Sequence, residues 1–330
     1  MARTIRRALV LAGGALLLGG LSGFGAGQPA SATSDRPGPG AAAASQAATS
    51  FQREPAAARG DGLVFRVRGS GGGTVYLAGS MHLLRPGDSA LPATFDAAYR
   101  DAERLVMEID LDDVDPAAAA AFTTSHATYG AGQGLRQALG ERRWQRARVA
   151  FESIGLQLES LDRLEPWAVA LLYSVSSMTG LGFEPGLGVE EQLKARALAD
   201  HKPIDGLERI EDQLGLFDAL PPEEQARLLE LTLEDSATSV RDIDALTRAW
   251  RRGDARALAR LLLREYRHFP SLYEPLVYGR NRNWLPRLEA LLQRDDDSLV
   301  VVGAMHLVGE RGVVELLRQR GHVVEPLRTH

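Results

Sequence analysis

Residues 299–306 read Leu-Val-Val-Val-Gly-Ala-Met-His, and residues 74–82 read Thr-Val-Tyr-Leu-Ala-Gly-Ser-Met-His. Each stretch opens with apolar and β-branched residues, a pattern that is typical of a buried strand. Each run ends in Gly-x-x-His and is followed by a helical pattern and another short strand. The chain therefore carries the same strand–loop–helix unit near both ends, and we expect the two strands to be neighbours in one sheet.

The two units predict an α/β (α+β) fold, in which a central mixed β-sheet is built from the N- and C-terminal units with a mainly helical insert between them. Leu63–Arg68 and Thr74–Ala78 flank a Gly-rich turn and predict a hairpin. Further strands are expected at Leu105–Asp110, within Pro203–Gly206 and at Val323-Val324. Helix-spaced apolar residues predict helices over Ala93–Glu103, from Pro116 onward, and over Glu141–Phe151, Pro166–Met178, Val189–Ala199, Pro221–Leu231, Val240–Arg251, Ala255–Arg267, Asn283–Gln293 and Gly312–Arg320.

The first 60 residues are not expected to belong to this fold. Residues 1–32 combine a basic start, an apolar run and an Ala-Ser-Ala site, which is the layout of a secretory signal peptide. The alternative is an uncleaved membrane anchor, but the run is shorter than the ~20 residues that span a bilayer. Residues 33–60 are rich in Ala, Gly, Pro and Ser and predict a flexible linker. Residues 61–330 form the predicted domain, and we expect an exported, periplasmic or secreted protein without stable membrane insertion.

The amino-acid composition excludes several kinds of functional site. The chain has no Cys, which excludes disulfides, zinc–thiolate sites and a Cys nucleophile. Its net charge of −5 comes from interspersed charges of both signs, so no basic stripe suggests a nucleic-acid partner.

His82 and His306 are the first candidates for a functional site. Ligands of open α/β sheets bind beyond the carboxyl ends of the strands, and we expect Gly to let the chain leave the strand at dihedral angles that other residues resist. A His three residues later can turn back over the strand end. Neutral imidazole is a common metal ligand and titrates near neutrality. In the alternative interpretation, each His caps a loop carbonyl.

Acidic and basic candidates accompany the two histidines. Glu108 closes an apolar strand, where a carboxylate can ligate a metal or activate water; the alternative is a solvated strand end. Arg280 precedes Asn281 at the start of a predicted helix and can hold an oxyanion or a substrate carboxylate. Here the alternative is N-capping by Asn281 or Asn283 beside a solvated Arg. The other five histidines have no such spacing.

Taken together, these stretches resemble the TraB/GumN family, which is related to Tiki-type metalloproteases. The resemblance covers residues 62–328 and rests on motifs in a fixed order. They are residues 75–84, residues 105–110, Glu165-Pro166-Trp167, residues 188–193, Gly206-Leu207-Glu208 with Gln213, Gly279-Arg280-Asn281 and residues 301–312.

The resemblance implies a site made of His82, Glu108, Arg280, Asn281 and His306. It implies that His82, Glu108 and His306 bind a divalent metal, with manganese or cobalt favoured, and that a metal-bound water attacks a peptide or protein substrate. The expected function is an exported, metal-dependent hydrolase of the peptidase type. The alternative is a non-enzymatic protein that sequesters a peptide or signal in the same cleft.

Overall fold

A computed structural model describes residues 61–110, 116–234, 240–263 and 269–329. The predicted signal peptide and linker, residues 1–32 and 33–60, lie outside the described residues. Within those residues, no helix has the length and apolarity needed to cross a membrane.

A six-stranded mixed sheet forms the centre of the protein. Its strands are β1 (Val64–Arg68), β2 (Thr74–Ser80), β3 (Arg104–Met107), β4 (Ile204–Gly206), β5 (Ser298–Gly303) and β6 (Val324–Pro326). The spatial order is β4-β3-β5-β2-β1-β6. Strands β4, β3, β5 and β2 are parallel, whereas β1 pairs antiparallel with both β2 and β6. The predicted hairpin and the predicted pairing of the two repeated strands are both confirmed.

Helices cover the sheet and fill the long connection between β3 and β5. They are α1 (Ala93–Asp101), α2 (Pro116–Ala127), α3 (Leu135–Glu152), α4 (Pro166–Thr179), α5 (Val189–Ala199), α6 (Ile210–Asp218), α7 (Pro222–Glu234), α8 (Val240–Arg251), α9 (Ala255–Leu263), α10 (Pro270–Tyr273), α11 (Arg280–Leu291), α12 (Ala304–Leu307) and α13 (Val313–Gln319). The predicted fold class, a mixed sheet made from both ends of the domain with a helical insert, is confirmed.

Burial follows the sequence pattern. Every residue of β5 is buried, as its unbroken apolar run predicts for a strand covered on both faces. The core continues into the helical insert, where Trp167 and Trp250 are fully buried. Trp250 also donates its indole N–H to the carbonyl of Gly79 at 2.6 Å, which fixes the end of β2 against α8.

Two local predictions need correction. Strand β3 ends at Met107 rather than Asp110, so Glu108 lies just beyond the sheet edge. Helix α11 does not begin with an Asn cap: a π-helix over Glu274–Gly279 runs directly into Arg280. Asn281 and Asn283 therefore lie inside a continuous helical segment, and the capping interpretation of this stretch is wrong.

Candidate functional site

The carboxyl ends of the four parallel strands meet at one edge of the sheet. Ser80 pairs with Gly303, and Met107 pairs with both Val301 and Gly206, so the strand ends are level to within a few residues. Each strand is followed by one ionisable side chain that belongs to a common cluster: Glu208 after β4, Glu108 after β3, His306 after β5 and His82 after β2. The topology thus collects residues that are far apart in the chain at the edge where α/β proteins bind ligands.

The glycine that begins the first Gly-x-x-His is required for space rather than for an unusual backbone angle. A Cβ at Gly79 would lie 2.4 Å from Leu63 Cδ2 and 3.2 Å from the Cα of Ala304. Gly79 does not have a positive φ, and the φ of Gly303 is −50°. The expectation that Gly supplies special dihedral angles here is therefore wrong; at Gly79, Gly permits the close approach of the two units.

Glu108 is buried between the second unit and α11. Its Oε1 accepts the backbone N–H of Gly303 at 2.7 Å, and its Oε2 accepts N–H groups from Arg280 and, at 3.3 Å, from Gln213. Burial acts to raise the pKa of Glu108, but the Arg280 guanidinium and then the neighbouring histidines and the Gly303 N–H outweigh it and lower the pKa to about 2. Glu108 is consequently a carboxylate at neutral pH.

Arg280 lies at the centre of the cluster, with only 3% of its surface exposed. Its guanidinium donates to Glu208 at 2.6 and 2.9 Å, to Glu108, and to the carbonyl of Leu276 at 3.4 Å. A further N–H points at His306 Nε2, 3.1 Å away. All five N–H groups of an Arg therefore have acceptors within the protein. The solvated-Arg interpretation is excluded by this arrangement.

His306 is held as a neutral imidazole. Burial and the positive charge of Arg280 lower its pKa to about 3, although Glu108 acts in the opposite direction. Its Nδ1 lies 2.6 Å from Asn281 Oδ1, and Asn281 Nδ2 donates to the carbonyl of Arg311 at 2.9 Å. The Nδ1–H thus points at the Asn281 carbonyl, and the lone pair on Nε2 accepts from Arg280. His306 contacts side chains rather than capping a loop carbonyl.

His82 lies in a different setting. Its Nδ1 is 2.6 Å from Glu190 Oε1, within ion-pair distance, although the N–H direction does not point straight at the oxygen. The hydroxyl of Ser80 donates to the same carboxylate oxygen. His82 and Glu108 keep 7% and 8% of their surfaces exposed, whereas His306 and Asn281 are fully buried. His82 and Glu108 therefore form the outer layer of the cluster, and the other predicted residues lie beneath them.

The residues as arranged do not fit a metal held jointly by His82, Glu108 and His306. The one ring lone pair of neutral His306 already accepts from Arg280, so it is not free to bind a metal in this arrangement. Among the described residues, no three His, Asp or Glu side chains form a group able to hold a metal ion. The metal implied by the family resemblance therefore stays a prediction.

The structure brings all five predicted residues together and adds others that the sequence analysis did not place in the site. Glu208 accepts from Arg280 and, at 3.0 Å, from the indole N–H of Trp284. Gln213 donates to Glu208 at 3.2 Å, as it does to Glu108. Burial raises the pKa of Glu208, against the effect of Arg280. A signal for Glu208 was present, because it follows a short strand just as Glu108 does.

The protein is thus an α/β protein with a buried polar cluster of histidines, carboxylates and an Arg at the sheet edge where such proteins generally bind ligands. The profile of the TraB/PrgY/gumN family matches residues 63–326. The chain therefore belongs to this family, as the sequence motifs predicted.

Individual relatives agree with this assignment. The chain is 26% identical to the uncharacterized protein YbaP of Escherichia coli (strain K12) over 243 residues, which cover 74% of this chain and 87% of that protein. The YbaP protein of Shigella flexneri matches to the same extent. A protein of Amphimedon queenslandica named Metalloprotease TIKI homolog is 41% identical over 58 residues, which are 17% of this chain and 11% of that protein. No solved structure matches.

Proposed function

We propose that this protein is an exported hydrolase that cleaves peptide bonds in a peptide or protein substrate. The observation that carries the proposal is the pairing of His82, at the outer layer of the site, with the carboxylate of Glu190. A His that lies beside a carboxylate and keeps a small part of its surface exposed is suited to accept a proton from water. The name of the Amphimedon queenslandica relative supports peptide-bond cleavage as the reaction class.

His82 is the base in the proposed reaction. Water adds its oxygen to the carbonyl carbon and passes a proton to His82; when the C–N bond breaks, the leaving nitrogen receives that proton. Glu108 is poorly suited to be the base, because a carboxylate whose pKa is lowered to about 2 holds protons weakly at neutral pH. Its contacts suit it to hold Arg280 and the Gly303 loop in place.

The role of Arg280 as a holder of an oxyanion or a substrate carboxylate stays a prediction. Its N–H groups are directed at Glu108, Glu208 and His306, so binding a substrate oxygen requires it to exchange one of these partners. The geometry favours a resident cation that balances two buried carboxylates.

The test is a peptide-library cleavage assay on the purified chain, accompanied by metal analysis. We expect cleavage by the parent protein and a loss of about 10²–10⁴-fold in kcat/KM for His82→Ala, the range that general acid–base catalysis contributes. His322→Ala is the matched control, since His322 lies outside the cluster and should leave turnover unchanged.

The same assay separates the metal-dependent form of the proposal from the metal-independent one. If His82 and His306 share a metal, His82→Ala, His306→Ala and the double variant should lose metal and turnover to a similar extent, because residues that act as a unit show non-additive losses. Turnover that persists after chelation argues against the metal. Tight binding of a library peptide without any cleavage would favour the sequestering protein and overturn the hydrolase.

A further inference from the structure

Glu190 is the buried carboxylate beside His82, and it exchanges no proton in the proposed reaction. It lies in the first turn of α5, where the helix dipole favours negative charge. One oxygen receives the Ser80 hydroxyl and lies beside His82 Nδ1. The other oxygen, Oε2, is buried and accepts no hydrogen bond from the described part of the chain. A buried carboxylate that is only half satisfied is costly, and such a group calls for a role other than stability.

The contacts of α5 hold Glu190 in this position. Val189 N donates to the carbonyl of Met81 at 3.1 Å, which joins the start of the helix to the loop that carries His82. A Cβ at Gly188 would lie 2.2 Å from the carbonyl oxygen of His82, so only Gly allows the helix to approach this closely. Leu84 and Glu184 exchange backbone hydrogen bonds on the far side of the loop. The loop after β2 is thus clamped to the segment that precedes α5.

We infer that Glu190 is a positioning residue that keeps the proton of His82 on Nδ1 and thereby makes Nε2 the ring nitrogen that reacts. Nδ1 and the carboxylate oxygen are only 2.6 Å apart, and a bare lone pair on the nitrogen would be repelled by the anion at this distance, so we place the hydrogen on Nδ1. A carboxylate in this place fixes both the tautomer and the orientation of an imidazole. The catalytic consequence rests on the proposed function, whereas the tautomer does not.

The experiment compares the parent chain with Glu190→Gln by ¹⁵N spectroscopy of histidine-labelled protein, in which His82→Gln identifies the His82 signals. Glu191→Gln is the matched control, because Glu191 is the next residue of the same helix turn and is only half-buried. We expect the Nδ1–H form of His82 in the parent and in Glu191→Gln. In Glu190→Gln the proton should redistribute toward Nε2, and Glu190→Asp should give an intermediate spectrum.

The kinetic measurement uses the same variants. Loss of the carboxylate partner of a metal-bound imidazole typically costs about 10–100-fold in activity. We expect a loss of the same order for His82, in kcat with little change in KM. A folded Glu190→Gln variant with the parent tautomer and the parent kcat would overturn the inference. If Glu190→Gln does not fold, the Asp variant decides in the same way. If the parent shows no hydrolysis, the proposed function fails, and the spectrum still decides whether Glu190 positions His82.

Discussion

The two Gly-x-x-His units start from nearly the same sequence and end in opposite chemical settings. In the first unit the chain continues as an extended loop, and His82 faces the carboxylate of Glu190 near the surface of the site. In the second unit the chain turns at once into α12, and His306 is enclosed between Asn281, Arg280 and the ring of Trp284, whose centroid is 4.6 Å away.

This difference shows that the Gly-x-x-His motif determines where each His lies, whereas the residues of neighbouring helices determine which charged groups contact its ring. Both strands deliver a His to the same edge of the sheet because they are parallel neighbours. The first His lies beside the carboxylate of Glu190, whereas the second lies beside the guanidinium of Arg280, which together with burial lowers the pKa of His306. Two histidines that look equivalent in the sequence are therefore suited to different tasks.

The largest expected effect comes from removing the cation that distinguishes the second unit. Arg280→Ala leaves Glu108 and Glu208 buried without their common partner, and breaking a buried ion pair in this way typically costs about 3–5 kcal/mol. We expect a loss of at least that size in the free energy of unfolding, measured by urea denaturation at pH 7.

Arg282→Ala provides the control for this prediction. Arg282 lies two residues further along α11 and pairs with Glu274 at 2.8 Å, and both side chains are exposed. Exposed ion pairs contribute about 0–1 kcal/mol, so this variant should unfold almost as the parent does. If Arg280→Ala is no more costly than Arg282→Ala, the buried cluster does not depend on Arg280 and the comparison between the two units fails.

The site residues whose positions depend on strand order could be predicted from the sequence. Repeated apolar runs that end in Gly-x-x-His predicted that His82 and His306 share one edge, and an acid after an apolar strand predicted Glu108. These inferences succeed because a parallel sheet converts a local pattern into a spatial one.

The remaining site residues depend on how helices approach that edge, which leaves no periodic signal. Glu190 reaches His82 through the docking of α5 on the loop after β2, and Glu208 follows a strand of only three residues. The π-helix over Glu274–Gly279 moved Arg280 from an expected helix start to the middle of a helical segment. Hydrogen bonds from residue i to i+5 have no sequence signature, so Asn281 was open to interpretation as a cap.

A smaller effect is expected in the pH dependence of stability. The pKa of His306 falls from 6.5 to about 3 on folding, so the unfolded chain binds more protons than the native protein between these values. The contribution of neutral His306 to the free energy of unfolding is therefore fully present above pH 6.5 and is lost as the pH falls toward 3. The lowered pKa of Glu108 adds a loss in the same direction between pH 4.5 and about 2.

His306→Gln tests this assignment because it removes the titrating ring from the second unit only. Between pH 6.5 and 4.5, the slope of unfolding free energy against pH should be shallower in the variant, by up to about 1.4 kcal/mol per pH unit for one proton. Urea denaturation at several pH values in this range measures it. An equal slope in parent and variant would mean that His306 is not held neutral in the native protein. The proposed difference in environment between His82 and His306 would then be wrong.

The smallest expected effect comes from making the two motifs identical. Ser80→Ala converts the first unit to Gly-Ala-Met-His, the sequence of the second unit. It removes the hydroxyl that donates to Glu190, and a hydrogen bond to a charged group contributes about 1.5–3 kcal/mol at most when it is well formed. Because Glu190 keeps its place beside His82 and at the start of α5, we expect a loss near the lower end of that range, measured by urea denaturation, with the Nδ1–H form of His82 retained. If the residues of the motif themselves determined the tautomer, the tautomer of His82 would instead change with this single substitution. An unchanged tautomer in Ser80→Ala beside a changed one in Glu190→Gln would assign the difference between the two histidines to their neighbours.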